Sequence, residues 1–308
     1  MTSEVRRATG SASPGPSSGA STWGVVLLAH GSQRGTNRSE CSCSWKHSEI
    51  PDWCRRCPST PQGLDEAADR LQALLGLQSS QVVLSCLEFI QPFPDQAVRL
   101  LKERGFSRVA VMPFLLGQGK HATLELDEML AELRTQSPQM QIYLAEGLGA
   151  DPHLADLVVQ RVLGMRGLLP SPNGGGHTTG VLLVKAGTQT QYDDCQWLEE
   201  LGQLVEKRLG PGYAVAAAQS HYGDPTMDSA TRYLVEERQA SAVLCVPYLF
   251  FPGLILKRNV LGGMDRQRLE YPDVPMAVAP PLGVDDRVVA VAAERVRGLW
   301  ERAEDATR

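Results

Sequence analysis

Short apolar runs alternate along the chain with longer segments in which apolar residues recur every three or four positions. The run at 24–29 (GVVLLA) is typical of a strand buried on both faces, whereas the spacing over 64–75 predicts an amphipathic helix. Strands that alternate with helices predict a parallel sheet with right-handed crossover connections. In the first half, the remaining strands are predicted at 81–86, 108–113 and 140–145, and the remaining helices from about 94, over 122–134 and over 152–164.

The same order of elements recurs beyond residues 168–180, a segment rich in proline and glycine. Here strands are predicted at 180–184, 213–218, 242–247 and 274–279, and helices near 192–209, 226–239, 257–268 and 285–302. We therefore expect an α/β fold of two tandem repeats, each a four-stranded parallel sheet flanked by helices, with the active cleft between the halves. The expected organisation is a disordered tail at 1–22, a first repeat at 23–167, a linker at 168–180 and a second repeat at 181–302.

The two halves align directly, but the first is longer. The first strands align when Gly31 is placed on Gly187, which is 156 positions later, and the third strands align when Pro113 is placed on Pro247, which is 134 positions later. The difference of 22 residues is extra chain between the first and third strands of the first half. We therefore expect an insertion there, at about 36–58.

Three chemically active residues of the first half, His30, Glu88 and His121, fall at the carboxyl ends of predicted strands. Neither histidine aligns with a histidine in the second half, and Glu88 aligns with His221. In a sheet of order 2-1-3-4, strands 1 and 3 are neighbours, so both histidines reach one crevice with Glu88 on its rim. Two neutral imidazoles and a carboxylate suit a divalent metal with open coordination positions. The alternatives are hydrogen-bonded structural histidines and an ordinary helix-cap carboxylate.

Composition and charge narrow the class of protein. Of the 308 residues, 43% are hydrophobic and 21% are charged, and the formal net charge is −5. These values are typical of globular proteins and give no electrostatic case for nucleic acid. No apolar run is long enough for a membrane span, and none follows Arg6 and Arg7 as in a secretory signal. We expect a cytoplasmic, reducing location, where clustered cysteines indicate metal binding more than disulfides.

A cluster of four cysteines lies in the insertion, with the pattern C-x-C-x10-C-x2-C. Thiolates at this density suit tetrahedral Zn²⁺ or an iron–sulfur cluster, and either would give the irregular insertion something to fold around. Reactive or unpaired thiols are the alternative. The four are Cys41, Cys43, Cys54 and Cys57, while Cys86, Cys195 and Cys245 fall in predicted strands or a helix and are predicted to be core residues.

Three segments of the first half together resemble the class II tetrapyrrole chelatases, in particular the long, two-repeat sirohydrochlorin cobaltochelatase and ferrochelatase family. They are AHGS at 29–32, CLEFIQPFP at 86–94 and VMPFLLGQGKH at 111–121. In the second half, VPYLFFPGLILKR at 246–258 is similar to the C-terminal repeat of that family. The resemblance covers about residues 23–300, and its motifs are specific as a set rather than singly.

The resemblance implies a lyase that inserts Co²⁺ into sirohydrochlorin in cobalamin biosynthesis, without ATP. Insertion of Fe²⁺ for sirohaem synthesis is one alternative, and a non-catalytic metal-binding or iron–sulfur protein with a vestigial chelatase site is another. His30 and His121 would hold the metal, and Glu88 would be a third active-site group, acting as base or as ligand. Relatives that carry a [4Fe–4S] centre favour such a cluster over Zn²⁺ on the four cysteines.

A tetrapyrrole with carboxylates round its rim needs cationic partners. The candidates beside the predicted loops are Lys120, Lys185, His221 and Lys257, with ordinary solvated charge or an inert strand end as the alternative for each. We expect no nucleic-acid or membrane partner, and either a monomer or a homo-oligomer.

Overall fold

The computed structural model describes residues 22–31, 63–88, 91–117, 124–169, 177–187 and 195–306. The first repeat is a four-stranded parallel sheet in the order β2-β1-β3-β4, which confirms the predicted order 2-1-3-4. Its strands are β1 (Trp23–Ala29), β2 (Val82–Cys86), β3 (Arg108–Pro113) and β4 (Gln141–Leu144). Its helices are α1 (Leu64–Leu75), α2 (Pro94–Glu103), α3 (Leu124–Gln136) and α4 (Pro152–Gly164).

The second repeat has the same architecture, with a parallel sheet in the order β6-β5-β7-β8. Its strands are β5 (Thr178–Lys185), β6 (Tyr213–Gln219), β7 (Ala240–Pro247) and β8 (Met276–Val278). Its helices are α5 (Gln196–Leu209), α6 (Met227–Arg232), α7 (Leu261–Glu270) and α8 (Asp286–Asp305). The predicted fold class, an α/β protein with two four-stranded parallel sheets, is confirmed. Among the described helices, none combines the length and apolarity needed to cross a membrane.

Predicted elements of the second repeat differ in their bounds, and two of the helices also contain a turn of another helix type. The helix predicted over 226–239 is α6 followed by a π-helical turn at Tyr233–Glu237. The helix predicted over 257–268 begins as a π-helical turn at Ile255–Val260 and continues as α7. β5 begins at Thr178, inside the segment that the sequence marks as a linker. Over a single turn, π and α helices place apolar residues at nearly the same spacing, so the sequence pattern does not separate them.

Helices on both faces explain the uniformly apolar sequence of β1. All of its side chains are buried, and they alternate between two apolar clusters because successive strand residues point to opposite faces. Val25 and Leu27 belong to an inner cluster that contains residues of both repeats. Val26 and Leu28 belong to an outer cluster formed with residues of α2 and α3.

The last helix of each repeat packs on the sheet of the other repeat. α4 contacts α5 and β7, whereas α8 contacts α1, α4 and β3. Trp300 of α8 lies against Trp23 of β1, with ring centroids 5.9 Å apart. Arg295 of α8 forms an ion pair with the buried carboxylate of Asp151, which caps α4 (N···O 3.0 Å). The two repeats therefore share an inner core, while each also has an outer apolar cluster of its own.

Candidate active site

The carboxyl ends of β1 and β2 bring His30 and Glu88 together. The backbone N–H of Glu88 donates to the carbonyl oxygen of His30 (N···O 3.0 Å), and that of Leu87 donates to Ala29 (2.9 Å). Gly31 has φ +94°, and a Cβ added there would overlap the Glu88 carbonyl oxygen. Only glycine fits where the backbone at residue 31 passes the Glu88 carbonyl group. A glycine directly after His30 is therefore required for Glu88 to lie beside His30.

A hydrogen-bonded turn fixes the start of the loop that carries Glu88. The backbone N–H of Cys86 donates to the carbonyl oxygen of Pro92 (3.1 Å), and the Ser85 hydroxyl donates to the same oxygen (2.8 Å). Glu88 is exposed and His30 is half-buried, so both side chains lie at the rim rather than in the core. The exposed carboxylate is available to solvent-borne ions.

The nearby thiol of Cys86 is not suited to metal binding. Its side chain is buried, and burial raises the pKa of Cys86 to about 12. At 1% exposure, Cys86 is shielded from ions that approach from solvent. The burial and the raised pKa of Cys86 agree with the prediction that it is a core residue. The donor atoms of the described rim residues, His30 and Glu88, are nitrogen and oxygen.

The second repeat has the same backbone arrangement at the carboxyl ends of β5 and β6, but with different side chains. We call this arrangement the corner of each repeat. A Cβ on Gly187 would overlap the carbonyl oxygen of His221, just as one on Gly31 would overlap that of Glu88. The backbone N–H of Ser220 donates to the carbonyl oxygen of Lys185 (2.9 Å). The backbone N–H of Leu87 donates to the carbonyl oxygen of Ala29 in the same way. His221 therefore occupies the place of Glu88, as the alignment of the halves predicts.

Charge at this second corner is positive where the first has a carboxylate. Lys185 is 5% exposed, and its Nζ donates to Gln219 Oε1 (3.3 Å) and to the Ala186 carbonyl oxygen (3.4 Å). Burial, and next the Lys185 ammonium, lower the pKa of His221 below its ordinary value. Ser220 Oγ lies 2.7 Å from His221 Nδ1. Burial and the Lys185 charge therefore both favour the neutral imidazole of His221.

Several predicted site residues lie outside the described residues: His121, Lys120 and the cysteines Cys41, Cys43, Cys54 and Cys57. Within the described ranges, no three His, Cys, Asp or Glu side chains gather as a metal site. Lys257 is exposed on the π-helical turn that precedes α7. The structure thus brings together His30 with Glu88 and Lys185 with His221, while the remaining assignments stay predictions.

A cavity of about 900 Å³ lies elsewhere, along β6 between α5 and α6. Its charged and aromatic lining includes Glu206, Lys207, Tyr213 and Arg238. It contains none of the predicted site residues. This groove follows an edge strand of the second sheet, whereas His30 ends an inner strand of the first.

Sequence reasoning missed two aromatic residues of the second repeat that contact the segment after β3, Trp197 and Phe250. Phe250 lies in the YLFF run at 248–251, which resembles the family's C-terminal repeat but carries no charge or ligand to draw notice. Trp197 gives no sequence signal beyond a helical apolar face. Both contacts are long-range, and only the packing of the two repeats reveals them.

Relatives of this chain are named for sirohydrochlorin chemistry. A sirohydrochlorin ferrochelatase of Priestia megaterium is 23% identical over 241 residues, which cover 77% of this chain and 85% of that protein. A sirohydrochlorin cobaltochelatase of Methanopyrus kandleri is 24% identical over 127 residues, covering 35% of this chain and 87% of that protein.

Solved structures share the architecture. SirB from Bacillus subtilis with Fe³⁺ has a TM-score of 0.66 at 18% identity and covers 92% of this chain and 98% of that chain. SirB of the subspecies spizizenii, in complex with cobalt, has a TM-score of 0.62 over 92% of this chain and 97% of that chain, also at 18% identity. At this identity the likeness shows the fold alone.

The model of the CbiX family matches this chain twice, at residues 56–164 and 180–299. The first match covers the first repeat from α1 to α4, the second covers nearly all of the second repeat, and together they span more than half of the chain. The resemblance to class II chelatases that the motifs predict is confirmed, and this chain belongs to the CbiX family.

Proposed function

We propose that this protein is a sirohydrochlorin chelatase whose metal substrate is Co²⁺. The observation that carries the proposal is the seating of Glu88 beside His30 at the carboxyl edge of a CbiX repeat. Relatives named as sirohydrochlorin chelatases support the substrate. The reaction takes one divalent ion into the macrocycle, releases two pyrrole N–H protons and uses no ATP.

The proposed roles follow from the donor types. His30 and His121, as neutral imidazoles, bind the incoming ion loosely enough to pass it to four ring nitrogens. Glu88 is exposed at the same rim, where it shares the hold on the ion or accepts a pyrrole proton.

Cationic groups are proposed to meet the carboxylates of the substrate. Lys185 lies at the second repeat's counterpart of the His30 site, and Lys120 and Lys257 follow β3 and β7 in the sequence. His221, beside Lys185, is proposed as a neutral hydrogen-bonding partner. An ammonium–carboxylate pair is favourable where water is partly excluded, which makes the buried Lys185 a stronger candidate than the exposed Lys257.

Fe²⁺ is the alternative metal, since the relatives are named for both ions. Nitrogen and oxygen donors bind first-row divalent metals in an order that does not itself select the physiological ion. Anaerobic assays with Co²⁺ and Fe²⁺ at equal concentration, followed by the absorbance change of sirohydrochlorin on metallation, measure the preference. A rate with either ion that does not exceed the rate in buffer contradicts chelatase activity with that ion.

The four cysteines of the insertion support a second proposal, a [4Fe–4S] cluster or Zn²⁺ held by Cys41, Cys43, Cys54 and Cys57. Their spacing is the supporting observation. Iron, sulfide and zinc are measured on protein purified without oxygen. A cluster gives iron and sulfide in equal amounts, zinc gives one ion per chain, and protein free of all three contradicts both.

A further inference from the structure

Tyr222 has a backbone conformation that an aromatic residue rarely adopts. It follows His221 at the corner of the second repeat and has φ +52°, in the left-handed region that favours glycine. Glycines aside, only Tyr222 and Gln239 have a positive φ among the residues that the structure describes. Such strain persists where the surrounding structure imposes it, and it is concentrated at ligand-binding sites. The turn alone does not explain a tyrosine here, because glycine would form it with less strain.

The backbone on both sides of Tyr222 is held in place. On one side, the backbone N–H of Gln219 donates to the carbonyl oxygen of Pro225 (2.8 Å), and the Gln219 side-chain amide donates to that of Asp224 (3.0 Å). On the other side, a Cβ on Gly187 would lie only 2.8 Å from the carbonyl oxygen of Tyr222. The turn is therefore fixed by its neighbours and does not depend on the Tyr222 side chain.

The Tyr222 ring lies at the surface and is not part of the core. It is 53% exposed and belongs to none of the three apolar clusters that the described residues form. Its ring centroid lies 4.8 Å from that of the half-buried His221, with an interplanar angle of 54°. The two rings together give the second corner an aromatic surface that is open to solvent.

This surface lies at the edge where the two sheets meet. Phe114, directly after β3, stacks on Phe250, which follows β7, with ring centroids 5.0 Å apart. The carboxyl ends of β3 and β7 are therefore in contact across the repeats. β1 and β5 are the neighbours of these strands, and the carboxyl ends of parallel strands share one edge of a sheet. His30 after β1 and Tyr222 after β6 therefore lie at the two edges that this stack joins.

A tetrapyrrole offers two surfaces to a protein, a flat conjugated face and a rim of carboxylates. Aromatic side chains pack on flat conjugated rings in offset or edge-to-face arrangements, while a few polar groups fix the orientation of the ligand. The second corner has both, since the rings of Tyr222 and His221 lie beside the Lys185 ammonium. We propose that Tyr222 is a substrate-binding residue whose ring packs on the conjugated face of the macrocycle. This role rests on the proposed function, which supplies the macrocycle as substrate.

Binding of sirohydrochlorin without added metal ion, followed by the absorbance of the macrocycle, tests this contact without turnover. Tyr222→Gly removes the ring and suits a φ of +52°. It should weaken binding roughly 10-fold and leave the thermal midpoint unchanged or higher. Tyr222→Phe keeps the ring and should bind as the wild type does. Equal losses of affinity in Tyr222→Phe and Tyr222→Gly would assign the effect to the hydroxyl group and overturn the stacking.

Gln239→Gly is the matched control for the change in backbone strain. Gln239 has φ +53° and is exposed, but it precedes β7 and lies at the opposite edge of the sheet. This variant should resemble Tyr222→Gly in thermal midpoint and the wild type in sirohydrochlorin affinity. A thermal midpoint of Tyr222→Gly well below that of Gln239→Gly would show a structural role for the ring and overturn the proposal.

The affinity of the wild type separates this role from the proposed function. Wild-type protein that binds no sirohydrochlorin contradicts the proposed function, and the stacking with it. Wild-type binding that Tyr222→Gly retains at the same affinity contradicts only the stacking.

Discussion

Gly31 and the carbonyl group of Glu88 lie so close that no side-chain carbon fits between them. Gly31 also has φ +94°, a conformation that side chains disfavour. Gly31→Ala should therefore lower the free energy of unfolding by at least about 2 kcal/mol, since it combines backbone strain with a steric overlap. It should also slow metallation, because the overlap pushes Glu88 away from His30.

Two other glycines serve as controls for this variant. Gly76 has φ +66° but open space around it, so Gly76→Ala should cost roughly 1 kcal/mol and leave metallation unchanged. Gly187→Ala makes the equivalent overlap in the second repeat and should destabilise the fold comparably. Urea unfolding and metallation rates measured on the same preparations separate the two effects. If Gly31→Ala and Gly76→Ala lower the free energy of unfolding equally, the steric overlap between residue 31 and the Glu88 carbonyl group is contradicted.

A pH effect on stability follows from His221. Burial and the Lys185 ammonium lower its folded-state pKa below the ordinary value of 6.5. The unfolded chain therefore takes up the proton first, and stability falls as the pH falls through about 6.5 toward the folded pKa. His221→Asn should show a smaller loss of thermal stability between pH 7 and pH 5 than the wild type. His177→Asn, at an exposed position before β5, should follow the wild-type profile.

Because the last helix of each repeat packs on the sheet of the other, a substitution in α8 should affect stability through a residue of α4. Arg295 of α8 pairs with Asp151, which is 7% exposed at the start of α4. Arg295→Met removes the charged partner of Oδ2 and leaves only the contacts of Oδ1 with His153, so it should cost roughly 1–3 kcal/mol in urea unfolding. Arg268→Met breaks an exposed ion pair with Asp265 and should cost less than about 1 kcal/mol. If both variants lose a similar free energy of unfolding, the Arg295–Asp151 pair does not stabilise the contact between the repeats more than an exposed ion pair does.

Much of the framework follows from local sequence. Buried parallel strands have continuous apolar runs, and right-handed crossovers restrict how they assemble, so the order 2-1-3-4 and the adjacency of His30 and Glu88 were predictable. The match of Glu88 with His221 followed from aligning the halves. These features depend on residues close in sequence or on rules common to all such sheets.

Other features depend on partners that periodicity does not specify. An apolar helical face shows that α8 is covered, but not that the sheet of the other repeat covers it. The π-helical turn at Ile255–Val260 differs from an α-helical turn by one residue, which apolar spacing does not resolve. The Trp197–Gly117 contact joins positions 80 residues apart and arises only when the repeats pack.

The most direct test compares metallation of sirohydrochlorin by the wild type, by His30→Ala and by His177→Ala, with Co²⁺ in excess. Removing one of two imidazoles that hold the incoming ion should lower kcat/KM at least roughly 100-fold, whereas the exposed His177 should be dispensable. Rapid metallation by the wild type and His177→Ala, with loss in His30→Ala, is the expected result. Metallation by His30→Ala at the wild-type rate would contradict the assignment of the active site to the first repeat.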